Sequence, residues 1–266
     1  MNIIIIAPRG KMGRLITKSV AARGDMRIVA GIAPAGRDYC GRDIGLLAGL
    51  GEEVGAPVVD NLAAVIDGCD IIIDYSTVET SLAVAELAVK HRKAVVCGTT
   101  GFTPGQWERL REAARQIPFL YGANTSRVIN LLYGVLAMLA EKFADAADIE
   151  IIEMHDRDKK DAPSGTSREL GHALAKGLGK PFDDIAVFGR SGHSPRQPGT
   201  IGYHSVRAGD ISSSHTVMFG FKAERLEITH HAHNWECFAE GACNCARFLA
   251  GKPAGWYTVQ DVLADA

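Results

Sequence analysis

Residues 1–125 alternate short apolar runs with amphipathic stretches, and this rhythm constrains the fold more than any other feature. The apolar runs have the length of buried strands, and the stretches between them have helical spacing of apolar residues. The predicted strands are residues 3–6, 27–32, 57–59, 70–74, 94–97 and 119–121, and the predicted helices include 61–67, 80–90 and 104–114. Strands that alternate with helices predict an α/β fold, a doubly wound parallel sheet covered by helices on both faces.

The rhythm changes in the second half of the chain. Residues 130–143 and 167–178 have helical spacing, residues 148–154 have the character of a strand, and residues 201–230 run as β-structure without intervening helices. Successive strands of this kind predict a second, α+β domain with a mixed or antiparallel sheet. We expect the first domain to span 1–126 and to be completed by 236–266, where a helix over 237–249 covers the first sheet. The second domain then spans 127–235.

Composition excludes several classes of protein. Of the 266 residues, 47% are hydrophobic and 23% are charged, and the formal net charge is −2. This balance is that of a globular protein and gives no electrostatic reason to expect nucleic acid or a membrane as partner. The six cysteines form no CxxC pair, and residues 3–6 are too short an apolar run for a signal or membrane segment. We therefore expect a cytoplasmic protein.

The turn after the first predicted strand has the character of a dinucleotide-binding loop. It reads Ala7-Pro8-Arg9-Gly10-Lys11-Met12-Gly13 and leads into a helix. Backbone N–H groups and the helix dipole at such a turn favour a pyrophosphate, and glycines allow its close approach. Alanine stands at the usual first glycine position, so a helix start with a packing glycine stays open as the alternative. A second glycine turn, Gly98-Thr99-Thr100-Gly101, follows a later strand and supports the dinucleotide interpretation.

The second strand bears on the choice of cofactor. It ends at Ile32-Ala33-Pro34, where a carboxylate would hold the ribose 2′-hydroxyl of NADH, and no carboxylate is present. Lys11, Arg14 and Arg37 are close in sequence to the predicted site. The pattern favours NADPH, with NADH as the alternative.

Residues 153–166, EMHDRDKKDAPSGT, carry the densest set of titratable groups. His155 is suited to proton transfer near neutral pH, and Lys159 can hold an anion or donate a proton. The helix predicted to begin near Ser164-Gly165-Thr166 would offer hydroxyl and N–H groups to a carboxylate. The alternative for this segment is a solvated charged loop.

This segment resembles the signature E-x-H-H-x-x-K-x-D-A-P-S-G-T of the dihydrodipicolinate reductases, enzymes of bacterial lysine and diaminopimelate biosynthesis. Further segments of the chain resemble the family in the same order, so that the likeness covers nearly the whole sequence. They include residues 73–76 (IDYS), 98–102 (GTTGF), 123–126 (ANTS), 201–210 (IGYHSVRAGD) and 227–230 (EITH).

The resemblance implies a fold, a reaction and a set of roles. It implies a Rossmann-type dinucleotide-binding domain, a substrate-binding and oligomerisation domain that forms a homotetramer, and NAD(P)H-dependent reduction of 4-hydroxy-tetrahydrodipicolinate. His155 would be the proton donor, Lys159 its companion, and Gly165 and Thr166 the grip on a carboxylate of the dicarboxylate substrate. The implied cofactor-binding residues are Ala7, Pro8, Arg9, Gly10, Lys11, Met12, Ala33, Gly98, Thr99, Thr100, Gly122, Ala123, Asn124 and Thr125.

The chain also departs from the family pattern. Asp156 stands where the family has its second histidine, which puts a negative charge in the expected substrate site. Ala7 replaces a glycine, and Trp235 occupies a usual arginine position. These changes keep two alternatives open: a paralogous reductase of another imine or carbonyl substrate, and a non-catalytic dinucleotide-binding protein. His230, His231 and His233 lack matching carboxylate or cysteine ligands, so we expect no metal site.

Overall fold

The structure is a computed structural model that describes residues 1–265. The strands of its first part are β1 (Asn2–Ile6), β2 (Arg27–Ile32), β3 (Val58–Val59), β4 (Ile71–Asp74), β5 (Ala94–Cys97) and β6 (Pro118–Tyr121). The helices are α1 (Lys11–Ala21), α2 (Ile44–Ala48), α3 (Val78–His91) and α4 (Pro104–Ala114). The helix predicted over 61–67 is wrong: Leu62–Ala64 and Ile66–Gly68 are two short 3-10 helices. Asn61 caps the first through its side chain, and Gly68 ends the second.

A long helix and a run of strands follow. They are α5 (Arg127–Phe143), β7 (Asp148–His155), α6 (Gly165–Leu178), α7 (Phe182–Ile185), β8 (Ala186–Phe188), β9 (Ile201–Arg207), β10 (Ser213–Gly220) and β11 (Arg225–Ala232). The chain ends with α8 (Glu236–Leu249), β12 (Gly255–Thr258) and α9 (Val259–Ala264). Two compact units result, one formed by Met1–Arg127 with the segment from Trp235 onward, the other by Val128–Asn234.

The first unit is built on a seven-stranded sheet in the order β12-β6-β5-β4-β1-β2-β3. All of its strand pairs are parallel. Ile3 and Ile5 point into an apolar cluster with α1 and α8, whereas Ile4 and Ile6 point into a second cluster with α3 and α4. Both faces are therefore buried, which explains the uninterrupted isoleucine run and confirms the doubly wound sheet. Residues of α8, among them Ala239 and Leu249, pack in the first of these clusters.

The second unit contains a five-stranded mixed sheet in the order β11-β10-β7-β9-β8. Strand β10 is antiparallel to β7 and β11, whereas β9 is parallel to β7 and β8. Ile149 and Ile151 of β7 pack with α5 and α6 in the core of the unit. The predicted α+β domain with a mixed sheet is confirmed. None of the helices within residues 1–265 is long and apolar enough to cross a membrane.

Candidate active site

The turn between β1 and α1 keeps a dinucleotide-binding backbone although its first glycine is absent. Ala7 adopts φ +55°, the left-handed conformation that glycine takes readily and that costs other residues about 1–2 kcal/mol. Its N–H donates to Ile32 O at 2.9 Å, and Gly10 N–H donates to Ala7 O at 3.0 Å. Gly10 is the N-cap of α1 and supplies no side-chain cap. No side chain of the N-cap therefore occupies the first N–H groups of this 11-residue helix, and they can bind an anion.

The position of this turn in the sheet is that of a nucleotide site. Strands β2 and β3 lie on one side of β1, and β4, β5 and β6 lie on its other side, so the strand order reverses at β1. In open α/β sheets, ligands bind at the carboxyl ends of the strands where the order reverses in this way. The residues present thus fit a dinucleotide.

Two further predicted cofactor segments follow β5 and β6 and so lie at the same edge of the sheet. Gly98 is required sterically, because a Cβ there would stand 2.1 Å from the Tyr75 ring. The Thr99 side chain is buried and accepts hydrogen bonds from Ser76 N–H at 3.1 Å and Ser81 Oγ at 2.9 Å. Its hydroxyl thus ties the turn after β5 to the loop after β4 and to α3. Thr100 is exposed at this edge.

The segment after β6, residues 122–125, is hydrogen-bonded to α8. Thr125 Oγ1 donates to Phe238 O at 2.7 Å and lies 3.0 Å from Tyr75 Oη. Gly122 is buried and donates its N–H to Cys97 O at 3.0 Å, and Ala123 is exposed. Ala33, directly after β2, is also buried and donates to Val59 O. Gly122–Thr125 and Ala33 thus lie at strand ends on the edge that carries the α1 turn.

The structure adds a carboxylate that the sequence pattern did not indicate. Asp38, exposed in the loop after β2, pairs with Arg9 at 3.2 Å, and the Arg9 guanidinium lies 5.1 Å from the Tyr39 ring centre. Lys11, at the start of α1, places its ammonium 3.7 Å from the Trp235 ring centre. A cation, Arg9, and an acid, Asp38, therefore meet at the loop after β2, whereas Lys11 lies against Trp235.

In the second unit, the end of β7 places a histidine beside a carboxylate. Glu153 and His155 are two residues apart and so point to the same face of the strand. His155 Nδ1 lies 2.5 Å from Glu153 Oε2. Glu153 is fully buried and His155 is 8% exposed. With Nδ1 engaged by the carboxylate, Nε2 is the ring atom that can exchange a proton with a ligand.

Arg207 at the end of β9 binds Glu153 with both ends of its guanidinium. Arg207 Nη1 donates to Glu153 Oε2 at 2.9 Å, and Nη2 donates to Oε1 at 2.8 Å. Burial raises the pKa of Glu153, but the hydrogen bonds from His155 and Arg207 outweigh it and hold that pKa well below its usual range. Glu153 is thus ionised although no water reaches it.

A second histidine, His215 of β10, lies against this pair. Its ring centre is 5.3 Å from that of His155, and its Nε2 lies 3.1 Å from Ser164 Oγ. Burial, followed by the charge of His155, lowers the pKa of His215 to about 3. His215 is therefore a neutral hydrogen-bonding group at physiological pH.

The predicted carboxylate grip is the first turn of α6. Ser164 is the N-cap, and its Oγ accepts from Ser167 N–H at 3.2 Å. Gly165 is exposed and Thr166 half-buried at the first two helical positions. A Cβ on Gly165 would meet nothing within 4 Å, so a ligand can approach the start of the helix. N–H groups and the dipole of this 14-residue helix favour an anion there.

The loop between His155 and α6 carries Lys159 and Asp156. Lys159 Nζ lies 2.8 Å from the Asp161 carboxylate. Burial raises the pKa of Asp161, but the hydrogen bond from Lys159, a backbone hydrogen bond and the charge of Arg207 outweigh it and lower that pKa. The Asp156 carboxylate accepts a hydrogen bond from Asp158 N–H at 2.9 Å. Asp156 therefore closes a local turn, a use that neither its charge nor its position in the motif indicated.

Sequence reasoning gave Glu153 and Arg207 no role in the site. Glu153 could have been found from its spacing, because residues i and i+2 of a strand share a face. Arg207 joins the site through the pairing of β9 with β7, which brings residues 54 apart into contact. Within residues 1–265, no group of three or more histidine, cysteine, aspartate or glutamate side chains could hold a metal ion.

A doubly wound sheet with a dinucleotide turn, in a chain whose second unit carries a carboxylate-oriented histidine, defines a Rossmann-type oxidoreductase. The comparisons give the family. Residues 1–125 match the family described as dihydrodipicolinate reductase, N-terminus, and residues 128–263 match dihydrodipicolinate reductase, C-terminus. The chain belongs to the dihydrodipicolinate reductase family, and the resemblance drawn from the sequence is confirmed.

Full-length relatives agree with this assignment. A 4-hydroxy-tetrahydrodipicolinate reductase from Hahella chejuensis is 43% identical over 263 residues, 98% of each chain. The enzymes of the same name from Pseudomonas fluorescens and Burkholderia thailandensis are 41% and 40% identical and cover 98% and 99% of this chain and 98% of their own length.

Among solved structures, the dipicolinate-bound dihydrodipicolinate reductase from Paenisporosarcina sp. TG-14 matches with a TM-score of 0.74. It is 22% identical to this chain and covers 97% of both chains. An amine dehydrogenase from Mycobacterium smegmatis has a TM-score of 0.66 at 15% identity, with 97% of this chain and 95% of its own covered. At these identities the two structures support the fold alone.

Proposed function

We propose that this protein catalyses the NAD(P)H-dependent reduction of 4-hydroxy-tetrahydrodipicolinate to tetrahydrodipicolinate, a step of lysine and diaminopimelate biosynthesis. The observation that carries the proposal is the buried Glu153–His155 pair beside the open first turn of α6, in a chain whose two parts both match this family. The reaction replaces a hydroxyl by hydrogen and releases the hydroxyl as water, so it needs a hydride, a proton, and a site for a dicarboxylate.

The second unit supplies the substrate-binding and proton-transfer groups. N–H groups of Gly165 and Thr166 bind one substrate carboxylate at the start of α6. His155 Nε2 donates the proton, because Nδ1 is held by Glu153. Lys159 contributes positive charge, which Asp161 partly neutralises at 2.8 Å. Asp156 borders the same site and opposes the binding of a dicarboxylate.

The first unit would hold the dinucleotide, which would supply the hydride. The turn between β1 and α1 would hold its pyrophosphate, because N–H groups at the start of a helix favour negative charge. The residues proposed to line this cofactor site are Ala7, Pro8, Arg9, Gly10, Lys11, Met12, Ala33, Gly98, Thr99, Thr100, Gly122, Ala123, Asn124 and Thr125. The cations close in sequence to this site favour NADPH, while the Asp38–Arg9 pair reduces the charge available to a 2′-phosphate.

The assembly and location of the protein form part of the proposal. Residues 1–126 with 236–266 bind the dinucleotide, and residues 127–235 bind substrate and form a homotetramer. Ile152 and Met218 support this association, because they lie half-buried on the β7–β10 face opposite the helices. Light scattering of the purified protein tests the tetramer. The six cysteines, which are thiols in the described structure, support a reducing, cytoplasmic location.

The test of the function is oxidation of NADPH and of NADH by the purified protein, with substrate generated in situ by its synthase. Rapid, substrate-dependent oxidation is expected, with the larger kcat/KM for NADPH. If the protein binds either nucleotide but oxidises neither, the reaction is overturned. A paralogous reductase of another imine then becomes the better interpretation, with Asp156 and Trp235 as the residues to study.

A further inference from the structure

Glu153 neither binds substrate nor donates the proton in the proposed reaction, yet it is the most heavily hydrogen-bonded group described in the proton-transfer site. It is fully buried and accepts from four groups: His155 Nδ1 at 2.5 Å, both Arg207 Nη atoms at 2.9 and 2.8 Å, and Ser164 N–H at 3.3 Å. A buried carboxylate is costly unless each of its oxygens is paired, and this one is paired on both oxygens.

We propose that Glu153 is a positioning residue that orients the His155 ring for proton donation from Nε2 and ties this ring to the carboxylate-binding start of α6. This inference rests on the proposed function and names the residue that organises its site. The same carboxylate binds the acid through Oε2 and the N-cap of α6 through Oε1. A shift of Glu153 would therefore displace the proton donor and the anion site together.

The contact sets the tautomer of His155. Neutral His155 carries its proton on Nδ1, where Glu153 accepts it, and the imidazolium form adds a proton on Nε2. During turnover the Nε2–H bond breaks and the proton passes to the substrate, while the Nδ1–H bond to Glu153 remains. Solvent later returns a proton to Nε2. Glu153 stays ionised throughout because Arg207 binds both of its oxygens.

Arg207 shares the Glu153 carboxylate with His155. Its guanidinium neutralises part of the negative charge that Glu153 presents to the ring. Arg207 Nη2 also donates to Asp161 O at 2.5 Å, which links the pair to the loop that carries Lys159. The titratable groups around the pair are His215 on β10, which packs against His155, and Arg207 on β9, which binds Glu153. Lys159 and Asp161 pair with each other in the loop that Arg207 contacts.

Strand β7 provides a matched control. Glu150 lies three residues before Glu153 on the opposite face, is 7% exposed, and pairs with arginines and a histidine: Arg190 at 2.7 Å, Arg196, and His204 at 2.9 Å. Removing its charge perturbs an ion network of the same chemistry in the same strand. It does so away from His155.

The experiment compares Glu153→Gln, Arg207→Gln and Glu150→Gln by the pH dependence of kcat. Turnover is expected to fall at high pH, because proton donation needs a protonated acid. In Glu153→Gln this limb is expected to move to lower pH by about one unit or more, and kcat at pH 7 to fall about 10- to 100-fold. KM should rise only a few-fold, because glutamine still accepts from Ser164 N–H. In Arg207→Gln the limb should move to higher pH, and in Glu150→Gln it should stay in place.

A second readout needs no turnover. In the ¹⁵N spectrum of histidine-labelled protein, neutral His155 is expected to be the Nδ1–H tautomer, and Glu153→Gln should shift it towards Nε2–H. An unchanged pH limb and tautomer in Glu153→Gln, or equal shifts in Glu150→Gln, would overturn the inference. Absence of activity in the unsubstituted protein would instead overturn the proposed function, while the ¹⁵N comparison still decides the role of Glu153. If Glu153→Gln does not fold, the opposite-signed shift in Arg207→Gln decides it.

Discussion

A Cβ on Gly13 would stand 2.2 Å from the carbonyl oxygen of Ala7, so that helix α1 can approach the end of β1 only because residue 13 is glycine. Ala7 itself takes the left-handed φ of +55°. The turn thus has glycine at position 13, where a side chain would clash, and alanine at position 7, where the backbone conformation favours glycine. Its shape is retained because the surrounding sheet and helix determine it, at the cost of local strain.

Ala7→Gly should therefore raise the free energy of unfolding. Relief of the left-handed conformation is worth about 1–2 kcal/mol, and the greater freedom of glycine in the unfolded chain offsets about 0.5–1 kcal/mol of it. A net gain of about 0.5–1 kcal/mol is expected in urea unfolding. Ala22→Gly is the control, because Ala22 has φ −75° and is not strained. An equal effect in both variants would show that the Ala7 turn stores no strain.

The strands of the first sheet were predictable because parallel strands buried on both faces read as continuous apolar runs, as at Ile3–Ile6. Strand β12 was not, since Gly255–Thr258 is only four residues long and half-buried at the edge of the sheet. It is held there by aromatic packing, with Trp256 stacked 5.5 Å from Phe119. Such packing between distant segments leaves no periodic signal in the sequence.

The proton-transfer site was likewise predictable only in part. His155 and the helix start at Gly165 follow from local chemistry, since a histidine and a helix N-terminus have the same properties wherever they occur. The contact between Glu153 and Arg207 does not follow from local chemistry, because Arg207 reaches Glu153 only after β9 pairs with β7. Asp38 likewise meets Arg9 through a loop whose path no pattern indicated.

Asp38→Asn should strengthen NADPH binding about two- to three-fold and leave NADH binding unchanged. The substitution releases Arg9 from an exposed ion pair, and such pairs are worth about 0.2–1 kcal/mol. Dissociation constants from cofactor fluorescence at constant ionic strength measure the effect. Asp25→Asn, which removes another exposed carboxylate paired with Arg247, is the control. Weaker NADH binding in Asp38→Asn would instead identify Asp38 as the partner of the ribose hydroxyl.

His215 should make the protein less stable as the pH falls through mildly acidic values. Its folded-state pKa of about 3 lies below the ordinary value of 6.5, so the unfolded chain binds a proton in this interval and the folded chain does not. Stability from this group is complete above pH 6.5 and is lost progressively towards pH 3. The loss between pH 6.5 and 5 should be about 1–2 kcal/mol.

Urea unfolding at several pH values measures this dependence. His215→Gln removes the titrating group and should flatten the decline of stability between pH 6.5 and 5, whatever its effect at pH 7. His193→Gln, at an exposed loop position, is the control for loss of a histidine. A slope in His215→Gln equal to that of the unsubstituted protein would contradict a neutral, buried His215.

Asp156→Asn should lower KM for a dicarboxylate substrate about two- to five-fold with kcat nearly unchanged. Asparagine keeps the side-chain oxygen that accepts from Asp158 N–H, so the turn after His155 is preserved while the charge is removed. A lone charge bordering a partly solvated site is worth about 0.5–1 kcal/mol, and its effect should shrink as salt rises.

Asp158→Asn separates a local from a general electrostatic effect, because Asp158 is exposed in the same loop and carries the same charge. If both substitutions lower KM equally, the loop acts through its summed field and Asp156 does not border the substrate. If neither changes KM, the negative charge is tolerated because Lys159 and the start of α6 already neutralise the dicarboxylate. A fall in KM confined to Asp156→Asn would mean that the aspartate weakens substrate binding at its own position, which makes it a determinant of substrate choice in this chain.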